Sequence, residues 1–429
     1  MTRYAWPPDD EFWTGHFPAQ TKDRTAPYLF KGVVPAAAAR PGHVLDGFAA
    51  LRSAHAAGTA ISAKARVYVG EERRDDLLPT VLDAPAWEEV GGFTAWMQDL
   101  TGADRFSLVV NNLETLSPPL AAGLGRFLGA LITGWGLPLG GAEQVAFAGN
   151  YSGTAFGVHE GYEDAFLIHL GPNPKNFYTW PAETYTKLTG GPEPLYGDYT
   201  WLLEHGTHWL LEPGDALFLP RRVFHVGTQN RFSVSVAVPL YTYPDAGIVR
   251  QAVLPDLLAG LLTGEGPDAA LSAPSPMASV PGGPGPAAGR LTALARTALA
   301  TAADRVEDAV QDHLRGRWAT VLSNGGWELT ERDLARTEAA AAFDPRHAVP
   351  GATVAVIAPY RLHTAGDHTY LRGHQSPGLL PDDLTAALDD GAEVTLPDDE
   401  TVLTAVRALG ATGGLRLTPR PANPKDGAP

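Results

Sequence analysis

The sequence predicts a mainly β fold with flanking helices, and two observations support this prediction. Between residues 144 and 241, six short runs rich in aromatic and β-branched residues follow one another, separated by Gly, Pro or Asn. Such runs are typical of the strands of an antiparallel barrel or sandwich. Apolar residues at helical spacing precede and follow this region. The six runs are QVAFAGNY, AFLIHL, NFYTWP, THWLLEP, ALFLP and FSVSVAVPLY.

A helix is predicted directly before the strands. Ser117 and Pro118 are suited to its cap and first turn. Its apolar positions recur at steps of three and four, as one buried helix face requires. These positions are Leu120, Leu124, Phe127, Leu128 and Leu131. We therefore assign residues 1–250 to one domain, a barrel with N-terminal helices.

The chain after the barrel divides into three parts. Residues 262–290 are dominated by Pro, Gly, Ala and Ser without any apolar period, which predicts a flexible linker. Residues 291–345 form a predicted helical segment, whose long apolar stripe needs a cover and predicts a homodimer. The stripe contains Leu291, Leu294, Ala298, Ala302, Val306, Ala309, Val310 and Leu314. Residues 346–419 alternate short strand-like runs with helix candidates at 381–388 and 398–409, which suggests a winged-helix-like domain.

Composition excludes several classes of function. Lys and Arg number 32 and Asp and Glu 48, so the formal charge is 32 − 48 = −16, which opposes nucleic acid or an anionic membrane as partner. Between residues 351 and 418 there are four Arg, no Lys and nine acidic residues, so DNA binding by the last domain is not expected either. The absence of cysteine removes thiolate metal sites and Cys nucleophiles. No signal peptide or spanning segment is evident, so we expect a cytoplasmic protein.

Two histidines in the β region are the candidate metal ligands. His159 lies at the end of one strand, and His225 lies just past another. In the second segment, a turn at Pro213–Asp215 precedes a strand that Pro220 ends, so that His225 can face the lumen. Histidines on two strands of one barrel can converge on a metal ion.

The residues around these histidines resemble known motifs. Gly214, Pro220 and His225 follow in the order of the second cupin motif, although Arg222 stands where a glycine is usual. His159 with the following EGYEDAFLIHLG and Lys175 is similar to the JmjC-type oxygenases, particularly the ribosomal-oxygenase group. Lys175 follows His159 by sixteen residues, one more than is usual there. That group also has a barrel, a helical dimerisation segment and a winged-helix-like domain in this order.

The resemblance implies a fold and an activity. The fold is a double-stranded β-helix of the cupin/JmjC type. The activity is that of an oxygenase that uses Fe(II), 2-oxoglutarate and O2, with His159 and His225 as iron ligands and Lys175 as the anchor of 2-oxoglutarate. Peptide, protein and small-molecule natural-product substrates all remain open.

The third iron ligand departs from the family pattern. Gly161 stands where the ligand Asp is expected, and glycine has no side-chain oxygen. We favour Asp164, near the place of the acid in the first cupin motif, although strand parity puts it on the face opposite His169. Glu163 and Glu160 are the other carboxylates within reach. A site with two protein ligands, which resembles the iron-dependent halogenases, is the remaining alternative.

Further residues are candidates for the cosubstrate pocket. Tyr151, Tyr178 and Ser233 can each hydrogen-bond 2-oxoglutarate, or else pack in the barrel. Parity directs His169 inward, either to the pocket or to a buried hydrogen bond. We thus predict an Fe(II)- and 2-oxoglutarate-dependent dioxygenase. The alternatives are a halogenase-like enzyme with two iron-binding histidines and a non-enzymatic cupin scaffold.

Overall fold

The computed structural model describes residues 4–70, 72–87, 92–153, 157–262 and 285–420. The chain divides into two compact units, Met1–Thr242 together with Ala319–Pro429, and Tyr243–Trp318. The first unit contains the strands, and the second is helical. None of the helices in these ranges has both the length and the apolar character needed to cross a membrane.

Antiparallel strands dominate the first unit, so the predicted mainly β fold with flanking helices is confirmed. The order along the largest sheet is β1-β10-β7-β11-β5-β4-β2-β3, while β6 and β8 pair with β11, and β9 pairs with β8. Strand β11 pairs with β5 and β7 of this order, and also with β6 and β8 outside it. It therefore joins the two sets of strands into one barrel. The strands are β1 Tyr28–Phe30, β2 Lys64–Val69, β3 Glu72–Arg73, β4 Phe106–Asn111, β5 Val145–Tyr151, β6 His159–Glu160, β7 Asp164–Pro172, β8 Lys175–Pro181, β9 Thr207–Leu211, β10 Ala216–Leu219 and β11 Val223–Leu240.

Alternate residues of the central strands face two environments. Leu108 of β4 and Ala148 of β5 lie side by side and belong to the main hydrophobic core. Their neighbours Val109 and Phe147 pair on the opposite face of the sheet. Period-two alternation therefore gives this sheet one face for the core and one face for the barrel interior.

Helices cover the core face of the sheet. Helix α5 agrees with its prediction, since Ser117 occupies the N-cap position, Pro118 begins the helix, and the predicted apolar positions are buried. The helices of this part are α1 Phe17–Thr21 after a π-helical turn at Phe12–His16, α2 Pro41–Ala56, α3 Leu78–Asp83 after a 3-10 turn at Asp75–Leu77, α4 Phe93–Thr101, α5 Pro118–Gly134 after a 3-10 turn at Leu113–Thr115, α6 Ala182–Thr189 and α7 Thr200–Leu203.

The second unit is a set of helices with exposed apolar side chains. Its described elements are α8 Asp245–Ile248, a π-helical turn at Val249–Val253, α9 Leu254–Leu262 and, up to Trp318, helix α10 Gly285–Ser323. Of the predicted linker, residues 263–284 lie outside the described residues, whereas Leu262 ends one helix and Gly285 begins the next. The predicted helical segment is interrupted after Ser323, because Gly325 and Gly326 adopt positive φ angles of 70° and 87° that end the helix.

The C-terminal residues form a second hydrophobic core within the first unit. Two sheets of three strands, with orders β16-β12-β17 and β13-β14-β15, pack with two helices around Leu371, Leu388 and Leu409. The elements are α11 Leu334–Ala342, a 3-10 turn at Pro345–His347, β12 Thr353–Val356, β13 Leu362–Ala365, β14 His368–Leu371, β15 His374–Pro377, α12 Asp382–Asp389, β16 Val394–Thr395, α13 Glu400–Gly410 and β17 Leu415–Thr418. The winged-helix-like character of this region stays a prediction.

Candidate metal centre

Strand pairing brings His159 and His225 together. Strand β6 pairs with the first part of β11, and in this register His159 lies directly opposite His225. The centroids of the two imidazole rings are 4.5 Å apart, with their planes inclined at 56°. Two histidine side chains from different strands thus share one location inside the barrel.

Backbone carbonyls determine the tautomer of both rings. Nδ1 of His159 lies 3.1 Å from the Gly157 carbonyl oxygen, and Nδ1 of His225 lies 3.0 Å from that of Val223. Because a carbonyl oxygen only accepts hydrogen bonds, each Nδ1 carries the proton and each Nε2 carries a lone pair. Burial lowers the pKa of both histidines, that of His225 to about 3 with a further contribution from the adjacent His159. Both rings therefore have the neutral form that binds metal ions.

The two histidines line a cavity of about 480 Å³. Its walls are mostly apolar, and acidic residues enter it from Glu160 at the end of β6 and, with Tyr162, from Glu163 before β7. Such a volume accommodates a small cosubstrate together with part of a substrate. The remaining lining residues are Arg66, Phe147, Gly161, Ala165, Leu167, Lys175, Phe177, Leu219, Pro220 and Ala237.

Lys175 begins strand β8 and lies buried in the wall of the same cavity. Its Nζ donates a hydrogen bond to the Tyr151 hydroxyl oxygen at 2.7 Å, and it lies 5.7 Å from the centre of the Phe147 ring. Within the described ranges, no acidic side chain pairs with this ammonium group, and burial lowers its pKa to about 7. An anion bound beside this lysine would compensate the cost of burying its charge.

Two neighbours complete the surroundings of Lys175. Burial raises the pKa of Tyr151, so its hydroxyl keeps its proton and can donate to a bound ligand while it accepts from Lys175. Gly227 of β11 makes room for the lysine, since a Cβ there would lie 2.8 Å from Lys175 Cε. Gly227 was not predicted from the sequence, although its position two residues after His225 places it on the same strand face.

Tyr178 does not face the cavity. Lys175 and Phe177 point inward on β8, so the alternation of the strand turns Tyr178 outward. There its ring stacks on His208 at 4.7 Å and packs against a separate apolar cluster. The predicted contact of Tyr178 with a cosubstrate is therefore corrected.

His169 and Ser233 form a buried hydrogen-bond network instead of lining the cavity. His169 has its Nδ1 2.9 Å from Ser235 Oγ and its Nε2 2.7 Å from the Asn173 carbonyl oxygen. Ser233 donates to the same carbonyl at 2.7 Å. Burial lowers the pKa of His169 to about 4, so the ring is neutral. His169 and Ser233 thus bind the carbonyl of Asn173 in the turn before Lys175. Neither residue lines the cavity, so the prediction that they contact the cosubstrate is corrected.

Asp164 lies away from the two histidines, so its prediction as third ligand is wrong. Its carboxylate accepts from the Arg221 backbone amide at 2.9 Å and contacts the Arg221 guanidinium at 3.4 Å. It lines a different cavity with Arg221 and Thr242. Side chains alternate along β7 from Asp164 onward, and no turn at Asp164 reverses this alternation. Ala165 and Leu167 therefore face the cavity, and Asp164 faces away from it. In the part of the chain that the structure describes, no group of three or more His, Asp or Glu side chains is arranged to hold a metal ion.

Gly161 is directed toward the histidine pair. A Cβ built on it would lie 3.6 Å from His225 Cε1 and 3.6 Å from the Glu163 carbonyl oxygen, which are ordinary contact distances. The Gly161 carbonyl accepts from the backbone amide of Arg222 at 2.7 Å, so the segment is held against the turn before β11. A side chain at this position would point at the candidate metal centre, and glycine leaves that direction open.

Solved structures identify the fold. The chain has the JmjC/cupin-like fold of the oxygenases, as its motifs predicted. A crystal structure of ycfD from E. coli superposes with a TM-score of 0.52 at 16% identity, covering 97% of this chain and 99% of that one. A structure of YcfD described as a ribosomal oxygenase from Escherichia coli gives 0.51 at 15%, with the same coverage. The sequence matches no protein-family model and no curated protein.

Proposed function

We propose that this protein is an Fe(II)- and 2-oxoglutarate-dependent oxygenase whose iron is bound by His159 and His225. The observation that carries the proposal is Lys175, a buried ammonium without a carboxylate partner among the described residues, in the same cavity as the histidine pair. A dicarboxylate that also binds the metal would supply the missing negative charge. The fold shared with a ribosomal oxygenase supports the same activity.

The residues present fit this cofactor and cosubstrate. Two neutral imidazoles with Nε2 lone pairs are suitable donors for Fe(II). The Lys175 ammonium and the Tyr151 hydroxyl would hold the distal carboxylate of 2-oxoglutarate by charge-assisted hydrogen bonds. Bound iron would supply oxygen activation coupled to decarboxylation of the cosubstrate, while the protein binds, orients and excludes water. Phe147, Leu167 and Leu219 provide the apolar wall that this exclusion requires.

Gly161 favours a second candidate, a halogenase-like enzyme with two protein ligands. The direction from Gly161 toward His225 contains no side-chain oxygen, so one coordination position would be available to water or to a halide. Glu160 and Glu163 also line the cavity and would compete with an external anion for this position. Hydroxylation and halogenation would then differ only in which group takes the vacant position.

The substrate proposed is a polypeptide. A structural neighbour is described as a ribosomal oxygenase, a name consistent with a protein substrate, and the superposition covers nearly the whole of both chains. The winged-helix-like region and a dimeric assembly are proposed on the same similarity.

Metal binding tests the proposal. Anaerobic titration with Fe(II), or with Co(II) as a spectroscopic substitute, should show one ion per chain. His159→Ala or His225→Ala should weaken binding by more than about 100-fold, since even the outer hydrogen-bond partners of metal ligands contribute about 10- to 100-fold. His208→Ala is the matched control, because His208 lies on the outer face of the barrel against Tyr178.

Three results would contradict all or part of the proposal. Retention of wild-type metal affinity by both histidine variants would put the metal elsewhere. A protein that binds no metal at all would support the non-enzymatic scaffold. If metal binds but Lys175→Met leaves 2-oxoglutarate affinity unchanged, the cosubstrate assignment fails while the metal site stands.

A further inference from the structure

One edge of the largest sheet is left open. Strand β3 is only two residues long and pairs with β2 at Tyr68 and Val69. The Arg74 amide then donates to the Val67 carbonyl at 2.8 Å, which shows that the Val67 polar groups point away from β4. Backbone groups alternate in direction along a strand, so those of Ala65 point to the same edge. Among the residues described, no strand pairs with β2 at Ala65 on this side.

A groove of about 710 Å³ runs along this open edge. Residues 63–66 all line it, and consecutive lining residues indicate that the groove follows the strand edge rather than one face. Leu51 of α2 with Leu78 and Leu82 of α3 form an apolar wall of the same groove. A strand edge without a pairing strand, beside an apolar wall, is the arrangement that binds an extended peptide as an added strand.

The charge of the groove is opposite to that of the protein. The basic lining residues are His55, Lys64, Arg66 and Arg73, and none of the described residues that line the groove is acidic, although the chain carries a net charge of −16. Two of the four basic residues have acidic neighbours. Arg73 Nε lies 2.7 Å from Asp75 Oδ1, and His55 Nε2 lies 3.2 Å from Asp83 Oδ1. Arg66 donates a hydrogen bond to the neutral Asn111 side chain, and Lys64 is exposed on the same strand. Both residues add positive charge to the groove.

Arg66 connects this groove with the candidate metal centre, because it lines both cavities. On the inner face of the sheet, Arg66 pairs with Val109, and Val109 pairs with Phe147 in the wall of the metal cavity. Neighbouring strands are about 4.8 Å apart, so a strand added to β2 would lie roughly 15 Å from β5. An extended chain covers that distance in about five residues at ~3.3 Å each.

We infer that an extended polypeptide segment rich in Asp and Glu binds as an additional strand on the open edge of β2 and directs the following residues to the metal cavity. Backbone hydrogen bonds to Ala65 hold the segment, Leu51, Leu78 and Leu82 receive its apolar side chains, and Lys64 and Arg66 pair with its carboxylates. The inference deepens the proposed function by naming the class of substrate segment, and it rests on that function only for the chemistry that follows binding.

Peptide binding tests the inference without any metal. The probe is a fluorescein-labelled decapeptide of alternating valine and glutamate, and its anisotropy is measured with the full chain at low ionic strength. Lys64→Glu should weaken binding about 3- to 5-fold or more, because it removes one exposed ion pair with a peptide carboxylate and replaces it with a repulsion. Lys187→Glu, an exposed change on α6 with the same change of net charge, should have little effect.

Strand addition is tested on the peptide as well as on the protein. Ala65→Pro removes an amide that points to the open edge and should weaken binding about 5- to 30-fold, the contribution of one to two backbone hydrogen bonds. A peptide N-methylated at alternate amides should lose a similar factor, which keeps the test valid if the proline variant folds poorly. His159→Ala should bind the peptide as the wild type does, so failure of this inference is distinguishable from failure of the metal site.

Three outcomes would overturn the inference. The first is that the wild-type protein does not bind the peptide. The second is equal affinity for a decapeptide of alternating valine and lysine, which would remove the acidic preference. The third is unchanged affinity after N-methylation, which would exclude pairing with the strand edge.

Discussion

Gly161 and Lys175 are the two residues on which the proposed chemistry of the cavity depends most. Gly161 has no side chain in the direction of His225, and Lys175 is a buried amine whose pKa is lowered to about 7 by burial. The sequence predicted Lys175 from its motif context. The sequence also indicated the position of Asp164, because strand parity alone puts its side chain on the face away from the cavity. Sequence could not assign His169 and Ser233, because parity gives the face of a strand but not the hydrogen-bond partners there.

Gly161→Asp should create a third metal ligand. The backbone at Gly161 does not need a positive φ, and a Cβ there meets only ordinary contacts, so an aspartate can be accommodated. We expect metal affinity to rise about tenfold or more, or ~1.4 kcal/mol, in Co(II) titrations. Chloride should perturb the Co(II) spectrum of the wild type but not that of the variant.

Two variants serve as controls for this experiment. Gly161→Ala fills the same direction without an oxygen and should not raise affinity. Asp164→Ala should lower affinity far less than His225→Ala does, because Asp164 holds the turn at Arg221 and contributes no metal ligand. Equal affinities of Gly161→Asp and Gly161→Ala would show that position 161 does not reach the metal.

Lys175 should make both stability and cosubstrate binding depend on pH. Burial lowers its pKa from the ordinary 10.5 to about 7. Below pH 7 the buried ammonium is charged and its burial cost is fully present. Between pH 7 and 10.5 the unfolded chain binds more protons, so the stability of the protein without cosubstrate should rise across this window.

The measurement is the free energy of unfolding of the wild type relative to Lys175→Met at several pH values. The difference should favour the variant by about 1–2 kcal/mol near pH 7, as a buried polar group is removed, and should shrink toward pH 10.5. Affinity for 2-oxoglutarate should fall as pH rises above 7, approaching about tenfold per pH unit, since only the ammonium form binds a carboxylate strongly. A pH-independent difference between the two proteins would mean that Lys175 is solvated.

The turn between β10 and β11 is the element that supports the candidate metal centre. Asp164 accepts from the Arg221 amide, and the Arg222 amide donates to the Gly161 carbonyl, so this turn holds the segment that carries Gly161. Arg222 has a φ of 62°, in the left-handed region that favours glycine. The glycine usual at this place in the cupin motif thus has a conformational reason, and this chain tolerates the strained alternative.

Arg222→Gly should stabilise the protein. Removal of the Cβ relieves the left-handed backbone, while the exposed arginine side chain loses little. We expect a gain of about 0.5–1 kcal/mol, seen as a higher urea midpoint at unchanged slope. Arg222→Ala keeps the Cβ and should gain much less, so equal stabilisation by both variants would assign the effect to the side chain.

The predicted strands were accurate where apolar and polar residues alternate or turns flank them, and incomplete elsewhere. The sequence analysis missed β4, which has five buried residues in succession and therefore no alternation to detect. It also missed β2 and β3, whose pairing depends on β4. Continuous burial and short edge strands are set by neighbours distant in sequence, and a local pattern does not report them.

At the scale of the whole molecule, the second unit presents apolar side chains to solvent. Leu291, Leu294 and Leu299 of α10 are 59%, 54% and 60% exposed, and Leu254 and Leu262 of α9 are also exposed. The sequence predicted that this stripe needs a cover. Ala298 and Ala302 are buried, but the larger leucines are not. A second copy of the chain would provide the cover.

We therefore expect a dimer in solution at micromolar concentration. The double variant Leu291→Glu/Leu294→Glu should shift the mass measured by light scattering to that of a monomer, because buried carboxylates oppose association. Gln311→Glu, an exposed polar position of the same helix, is the control and should stay dimeric. A wild-type monomer would show that these leucines remain in water.

The length of β11 has a consequence for synthesis. Its eighteen residues pair with β5, β6, β7 and β8, all of which precede it in the chain. Between translation of Val145 and of Leu240, the ribosome works for roughly 5–20 s, at about 5–20 residues per second. Throughout that interval the earlier strands lack their common partner, and His159 lacks His225. Closure of the barrel and the meeting of the two histidines are therefore late events, which only a nearly complete β region can undergo.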